Sequence, residues 1–122
     1  MSDDLHADYH GTWLPIRAEL DSQLAPDLAL TEMKLTLTAK RYVVHFGREA
    51  SDQGTCAMEP GSDPVTLVIN GTRGANAGRT LRAIVQLRGD RLRICFGLDG
   101  ITPTAFATSP GSHRYLVTYR RG

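Results

Sequence analysis

Histidine is the residue type in this sequence most suited to metal binding or acid–base chemistry. His6 and His10 are four residues apart, a spacing that places two zinc ligands on one face of a helix. Gly11 and the strand-like residues after it argue against a helix there, and a zinc site needs more than two protein ligands. His45 and His113 have no nucleophile beside them in a recognisable motif. The sequence therefore predicts no metal site, no cofactor and no identifiable catalytic residue.

The chain has two cysteines, Cys56 and Cys95, and neither lies in a C-x-x-C pair. Two thiols are too few for a disulfide framework, and both fall in segments with strand-like patterning. We expect two buried free thiols that pack as small apolar side chains. A single disulfide is the alternative, and it requires the two strands to meet in space.

A glycine-rich segment at residues 70–79 carries two arginines and could contact a phosphate group. It lacks the Lys-Ser/Thr pair of a P-loop and no helix follows it, so a phosphate cradle is excluded. We expect a mobile hairpin loop, and a lid over a binding site is the alternative.

Arginines recur at alternate positions in the second half of the chain and could form a basic stripe on one face of a sheet. Such a stripe could bind an anionic protein partner, or its arginines could pair with acidic neighbours and suppress edge aggregation. No aromatic residues alternate with them, which argues against single-stranded nucleic acid. The arginines concerned are Arg82, Arg88, Arg91, Arg93 and Arg114.

The overall composition is that of an ordinary soluble domain. The chain has 122 residues, of which 41% are hydrophobic and 22% are charged, so disordered, collagen-like and coiled-coil proteins are excluded. No apolar run approaches the ~18 residues of a membrane-spanning helix. The net charge is +1, with −5 in residues 1–61 and +6 in residues 62–122. We therefore expect neither a nucleic-acid nor a membrane partner, and the identity of any protein partner is unknown.

Residues 1–10 are acidic and contain no apolar core of a signal peptide. We expect them to form a tail, followed by a single domain over residues 11–122. The expected location is the cytoplasm, unless a leader was removed and the protein is exported.

Short segments of alternating apolar and polar residues dominate the rest of the chain. This period of two is typical of antiparallel strands with one buried face. Two-residue links at residues 39–40 and 89–90 predict tight hairpins, and Pro26 followed by Asp-Leu-Ala-Leu-Thr-Glu predicts a short helix over residues 26–32. Strands are expected near residues 11–19, 33–38, 41–46, 55–58, 65–70, 81–88, 91–96 and 114–120, with a further short one near residues 104–106.

This pattern predicts an all-β protein, a small antiparallel up-and-down β-barrel of about eight strands with one short helix after the first strand. Closure into a barrel removes the exposed edges of the sheet. A two-sheet sandwich is the competing architecture. Nearly sequential hairpins with short links favour the barrel over Greek-key crossings.

The two ends of the expected barrel resemble those of lipocalins. Gly11-Thr12-Trp13 matches the G-x-W that opens the first lipocalin strand, and Tyr119-Arg120-Arg121 ends the last strand. The resemblance implies that an arginine of the last strand, here Arg120, lies across Trp13 and closes the barrel. A guanidinium over an indole gives a cation–π contact of ~0.5–2 kcal/mol.

A larger part of the chain, roughly residues 9–121, resembles a small lipocalin-like family that is abundant in planctomycetes. The most specific block is Gly89-Asp-Arg-Leu-Arg-Ile-Cys-Phe-Gly97, and further matches lie at residues 35–38, 103–106 and 115–121. The resemblance implies a bacterial, lipocalin-like barrel and brings no activity with it. The chain is shorter than a typical lipocalin and has no helix after the last strand, so ligand binding does not follow from the resemblance.

Inward-facing positions of the expected strands form the candidate ligand site. An eight-stranded barrel is just wide enough to be filled by side chains or to hold one small ligand. Tyrosine hydroxyls would orient a ligand, as would Arg17 if the first strand alternates without interruption. A bulge at Pro15 would instead turn Arg17 and Glu19 outward. The candidate residues are Tyr42, Val44, Phe46, Leu67, Ile69, Val85, Ile94, Phe96, Tyr115, Val117, Tyr119 and Arg17.

The leading functional hypothesis is that the barrel binds a small hydrophobic ligand, driven by burial of apolar surface at ~25 cal/mol per Å². A packed core without a ligand is the structural alternative. The second hypothesis is a protein-interaction module that uses the arginine-bearing outer face. The third is a barrel cyclase or isomerase with a lone His or Glu as general base, although no spacing indicates one.

Overall fold

The computed structural model describes residues 3–59 and 61–122. Within these residues, nine strands and one short α-helix follow a single turn of 3-10 helix at Ala7–Tyr9. The helix α1 (Asp27–Glu32) lies between the second and third strands, where Pro26 supplies a backbone angle suited to a helix start. The strands are β1 (Gly11–Leu20), β2 (Gln23–Leu24), β3 (Met33–Leu37), β4 (Arg41–Phe46), β5 (Glu49–Met58), β6 (Val65–Gly74), β7 (Thr80–Arg88), β8 (Arg91–Gly97) and β9 (Arg114–Arg121).

The sheet closes on itself. Neighbouring strands follow chain order from β3 to β9, and β1 pairs antiparallel with both β3 and β9. In the described part of the chain, eight strands therefore form a closed antiparallel barrel, and β2 adds two residues beside the end of β1. The all-β up-and-down barrel is confirmed, as is the short helix, and the sandwich alternative is wrong.

The hairpins lie where the turn residues predicted them. Leu37 pairs with Tyr42 across the β3–β4 turn, and Arg88 pairs with Arg91 across the β7–β8 turn. Gly89 in the second turn has a φ of +58°, a left-handed conformation that glycine adopts without strain. This register places alternate side chains of each strand in the barrel interior.

Two strands are longer than the apolar pattern predicts. β5 begins at Glu49 and β6 ends at Gly74, although alternation indicated a strand only from residue 55 and a loop over residues 70–79. Residues 52–54 of β5 pair with residues 71–74 of β6, so backbone pairing extends both strands into polar sequence. The expected loop is reduced to a turn at residues 75–78.

The strand expected near residues 104–106 is absent, and residues 98–113 instead cross the outer surface of β7 and β8. Arg82 donates a hydrogen bond to Thr102 Oγ1 at 2.5 Å, and Cys95 Sγ lies 3.9 Å from the carbonyl oxygen of Ala107. This covering segment buries side chains that point away from the barrel interior. Ile84 is 1% exposed and Cys95 is 0% exposed for that reason.

The N-terminal segment closes one end of the barrel. Leu5 and Tyr9 are buried in the core, and the Leu5 N–H donates to the carbonyl oxygen of Ala39 in the β3–β4 turn. Trp13 Nε1–H donates to the Tyr9 carbonyl oxygen at 3.0 Å. Residues 3–10 thus pack against the end of the barrel without forming a strand of it. The sequence predicted a tail over residues 1–10, of which Met1 and Ser2 lie outside the described residues.

Candidate functional site

The barrel is filled at the end that the N-terminal segment covers and hollow towards the other end. Trp13 and Leu92, both fully buried, occupy the filled end. A cavity of about 220 Å³ lies above them, enclosed by side chains of β3–β9. It extends to the mouth, where β4 ends and the turn at residues 75–78 joins β6 to β7. The interior thus combines a packed layer with a cavity.

Eight of the twelve residues predicted to contact a ligand line this cavity. Strand alternation was sufficient to place them, because each lies on the inward parity of its strand. Phe96 and Tyr115 also stack against each other, with ring centroids 5.7 Å apart. The eight residues are Tyr42, Val44, Leu67, Ile69, Ile94, Phe96, Tyr115 and Tyr119.

Three apolar residues of the predicted set do not line the cavity. Val85 and Val117 point inward but are packed in the core, with 2% and 0% of their surface exposed. Phe46 is 51% exposed at the end of β4. Phe46 is the last residue of β4 and pairs with Met33 in an unbroken register, so it lies at the open end of the barrel and not inside it.

Arg17 lies on the outer surface, so its predicted role in orienting a ligand inside the barrel is wrong. The register of β1 against β9 shifts between Pro15 and Arg17, as expected if a bulge occurs at the proline. Trp13 and Pro15 face inward before the bulge and Ala18 faces inward after it. The Arg17 side chain is 64% exposed and its Nη2 lies 3.8 Å from a Glu19 carboxylate oxygen.

A buried carboxylate outside the predicted set provides the polar part of the site. Asp52 in β5 lines the cavity and is 8% exposed. Its Oδ1 accepts hydrogen bonds from the Tyr42 hydroxyl at 3.1 Å and from the Asn76 backbone N–H at 3.3 Å. Its Oδ2 accepts a hydrogen bond from Asn76 Nδ2 at 2.7 Å. Asp52, Gly54 and Cys56 alternate inward along β5, but this half of the strand has no apolar pattern that would predict its orientation.

Two glycines allow the Asn76 turn to approach Asp52. A Cβ atom on Gly71 would lie 1.9 Å from the Asn76 carbonyl oxygen, and one on Gly74 would lie 2.2 Å from the Ser51 carbonyl oxygen. Gly74 also has a φ of +88°, which side chains disfavour. The glycine-rich segment therefore brings a turn close to the cavity mouth, which the sequence pattern alone interpreted as a flexible loop.

The tyrosines of the cavity remain protonated donors. Burial, and then the negative charge of Asp52, raise the pKa of Tyr42 above its ordinary value. Burial is also the main cause of the raised pKa of Tyr119, with a smaller contribution from Tyr115. Within the described residues, the Tyr115 and Tyr119 hydroxyls have no hydrogen-bond partner, so they are available to form hydrogen bonds with a bound molecule.

The two cysteines are free and lie on opposite sides of the barrel wall. Cys56 lines the cavity, and burial raises the pKa of its thiol to about 11. Cys95 points outward under the covering segment, and burial raises its thiol pKa as well. The predicted buried free thiols are confirmed, and a disulfide between them does not form. A thiol with a raised pKa is a poor nucleophile at neutral pH.

The closing arginine is Arg121 and not Arg120. The Arg121 guanidinium lies 4.1 Å from the centroid of the Trp13 ring, and it donates to the carbonyl oxygens of Asp8 and His10. Val117 and Tyr119 face inward along β9, so alternation turns residue 121 towards the interior and Arg120 towards solvent. Trp13 itself is in the predicted position.

Three of the five arginines predicted to form a basic stripe are engaged within the described residues. Arg82 pairs with Glu59, Arg114 pairs with Asp99 at 2.9 Å, and Arg93 lies over the Phe106 ring at 4.5 Å from its centroid. Arg88 and Arg91 remain exposed beside the β7–β8 turn. Most of the arginines predicted to form the stripe therefore contact partners within the same chain.

Within residues 3–59 and 61–122, no three His, Cys, Asp or Glu side chains come together as metal ligands. In the same residues, no helix has the length and apolar character to span a membrane.

No protein-family model, curated protein or solved structure matches this chain. The fold and site together define a closed antiparallel barrel with an apolar cavity and one buried carboxylate.

Proposed function

We propose that this barrel binds a small, mainly apolar molecule in its cavity. The observation that carries the proposal is the cavity itself, a space of about 220 Å³ inside an otherwise well-packed barrel. Protein interiors rarely leave voids much larger than a water molecule, because an empty space forfeits the contacts of the atoms around it. Apolar side chains form most of the wall, and a few polar groups at fixed positions would orient the bound molecule.

The cavity volume limits the size of the ligand. A cavity of about 150 Å³ holds benzene, so by proportion this cavity suits a molecule of roughly nine non-hydrogen atoms. Longer molecules would extend through the mouth. The Gly11-Thr12-Trp13 start of β1, with Arg121 across the indole, resembles the closed end of a lipocalin barrel, and this likeness concerns the barrel and not its ligand.

The test is a titration of the protein with 1-octanol, in which isothermal titration calorimetry and NMR chemical-shift changes of the protein measure binding. We expect saturable one-to-one binding with an affinity on the order of micromolar to millimolar, as for other ligands of this size. Native mass spectrometry of freshly purified protein would show whether a molecule is already bound. Absence of saturable octanol binding to the protein, once extracted with solvent and refolded, would contradict the proposal.

A pair of variants at Cys56 ties binding to the cavity. Cys56→Leu adds side-chain volume to the cavity wall and should weaken octanol binding at least about tenfold. Cys56→Ala removes the same thiol without adding volume and should bind octanol as tightly as the parent protein. Equal affinities in both variants would place the octanol site elsewhere.

A further inference from the structure

Asp52 gives the cavity a single negative charge. Among the described residues that line it, Asp52 is the only carboxylate, and the wall contains no Lys, Arg or His. None of the ion pairs in the described part of the chain involves Asp52. A buried charge costs free energy unless it is compensated, and here neutral hydrogen-bond donors provide the only compensation.

The hydrogen bonds to Asp52 leave room for one more donor. An ionised carboxylate offers about four acceptor positions on its two oxygens. Oδ1 accepts two hydrogen bonds, from Tyr42 and from the Asn76 backbone, whereas Oδ2 accepts one, from the Asn76 side chain. The remaining position is on Oδ2, on the carboxylate group that lines the cavity.

We propose that Asp52 is the head-group subsite of the cavity and selects a primary ammonium group attached to a short apolar body. This inference rests on the proposed function and specifies the class of ligand. The ammonium would donate to Asp52 Oδ2, and the apolar body would lie among the side chains of β3, β6 and β8. A charge-assisted hydrogen bond is roughly twice as strong as a neutral one, and the low dielectric of the cavity strengthens it further.

The same charge disfavours acidic ligands. A fatty-acid carboxylate in this cavity would meet Asp52 without any cation to offset the repulsion. A neutral alcohol would neither gain the ion pair nor suffer the repulsion. The order of affinity expected from the wall chemistry is therefore amine, then alcohol, then carboxylate.

Asp52 also fastens the turn at residues 75–78 to the barrel through its bonds to Asn76, and a purely structural role is the competing explanation. That role makes no distinction between ligands of equal size. The order of affinities in the parent protein separates the two explanations before any substitution is made.

The experiment compares octylamine, 1-octanol and octanoate at pH 7, where the amine is protonated and the acid is ionised. By calorimetry we expect octylamine to bind at least about tenfold more tightly than octanol, and octanoate more weakly than both. Octanol binding with no preference for the amine would overturn this inference and leave the proposed function intact. Failure of all three ligands to bind would overturn both.

Substitutions then locate the preference. Asp52→Asn removes the charge and keeps the side-chain size, so the preference for octylamine over octanol should fall to within about threefold while octanol binding persists. Asp90→Asn is the matched control, because Asp90 is 81% exposed at the opposite end of the barrel and undergoes the same chemical change. An Asp52→Asn protein that keeps the full preference, or an Asp90→Asn protein that loses it, would overturn the assignment. Should Asp52→Asn not fold, the order of affinities in the parent protein decides the question.

Discussion

Replacing Arg121 by alanine should open the closed end of the barrel, whereas replacing its neighbour Arg120 should do little. The Arg121 guanidinium covers the Trp13 ring at 4.1 Å and donates to the carbonyl oxygens of His10 at 2.9 Å and Asp8 at 2.8 Å. Arg120 is exposed on the outer surface. The two variants have the same composition and charge, so any difference between them reports on position alone.

The expected cost follows from these contacts. The cation–π contact contributes about 1 kcal/mol, because the Arg121 side chain is 35% exposed and the ring is fully buried. The two hydrogen bonds to carbonyl oxygens contribute about 0.5–1 kcal/mol each at this exposure. The ion pair with Asp90, at 3.8 Å and with Asp90 81% exposed, adds close to nothing. Arg121→Ala should therefore lower the free energy of unfolding by about 2–3 kcal/mol, and Arg120→Ala by less than about 0.5 kcal/mol.

Urea unfolding at 25 °C measures both values. Trp13 is the single tryptophan of the chain, so its fluorescence reports on this end of the barrel, and far-ultraviolet circular dichroism reports on the strands. In thermal unfolding the Arg121→Ala protein should melt about 10 °C lower, since 1 kcal/mol corresponds to roughly 3–5 °C at this size. Arg121→Lys keeps the charge but loses the planar stack and should lie between the two. Equal destabilisation by Arg120→Ala and Arg121→Ala would refute the reasoning.

Two further predictions follow from buried ionisable groups. Stability should fall as the pH rises above about 9, because Cys56, with a pKa raised from 9.0 to about 11, keeps a proton in the folded state that the unfolded chain releases. Cys56 alone should lower the free energy of unfolding by about 2–3 kcal/mol by pH 11, and Tyr42 and Tyr119 should add to the loss at higher pH. Urea unfolding of a Cys56→Ala variant should show a shallower decline with pH. A stability profile of the parent protein that stays flat or rises would contradict this. Native protein at pH 7.5 should also resist alkylation by iodoacetamide at Cys56 and Cys95 until denaturant is added, and mass spectrometry showing rapid labelling of either thiol would contradict their placement.

The pattern of residue types was sufficient for the architecture. Alternation with a period of two, together with turn residues at 39–40 and 89–90, indicates antiparallel strands in sequential hairpins, and a sheet of that length removes its edges by closing. The inward parity of Leu67, Ile69 and Ile94 follows from the same alternation, because a buried strand face must be apolar. The expected helix after the first strand also formed where Pro26 indicated it.

Local irregularities were the points at which the pattern failed. The bulge in β1 turned Arg17 outward, and Phe46 is exposed because it is the last residue of β4. Alternation along β9 already places Arg121, and not Arg120, on the same face as Val117 and Tyr119, and the pairing of Trp13 with Arg121 agrees with it. A one-residue shift moves a side chain from one face of a sheet to the other, so small irregularities have large effects.

The sequence by itself determined that this chain is an all-β barrel with an apolar interior, because apolar alternation is a local property of each strand. Only the tertiary structure decided that the interior is hollow near the mouth and that Asp52 lies there beside Tyr42 and Asn76. Asp52 belongs to a polar half-strand without alternation, and its orientation depends on backbone pairing with β4 and β6. Asn76 reaches it through a turn that two glycines permit, and such contacts between distant segments leave no periodic signal in the sequence.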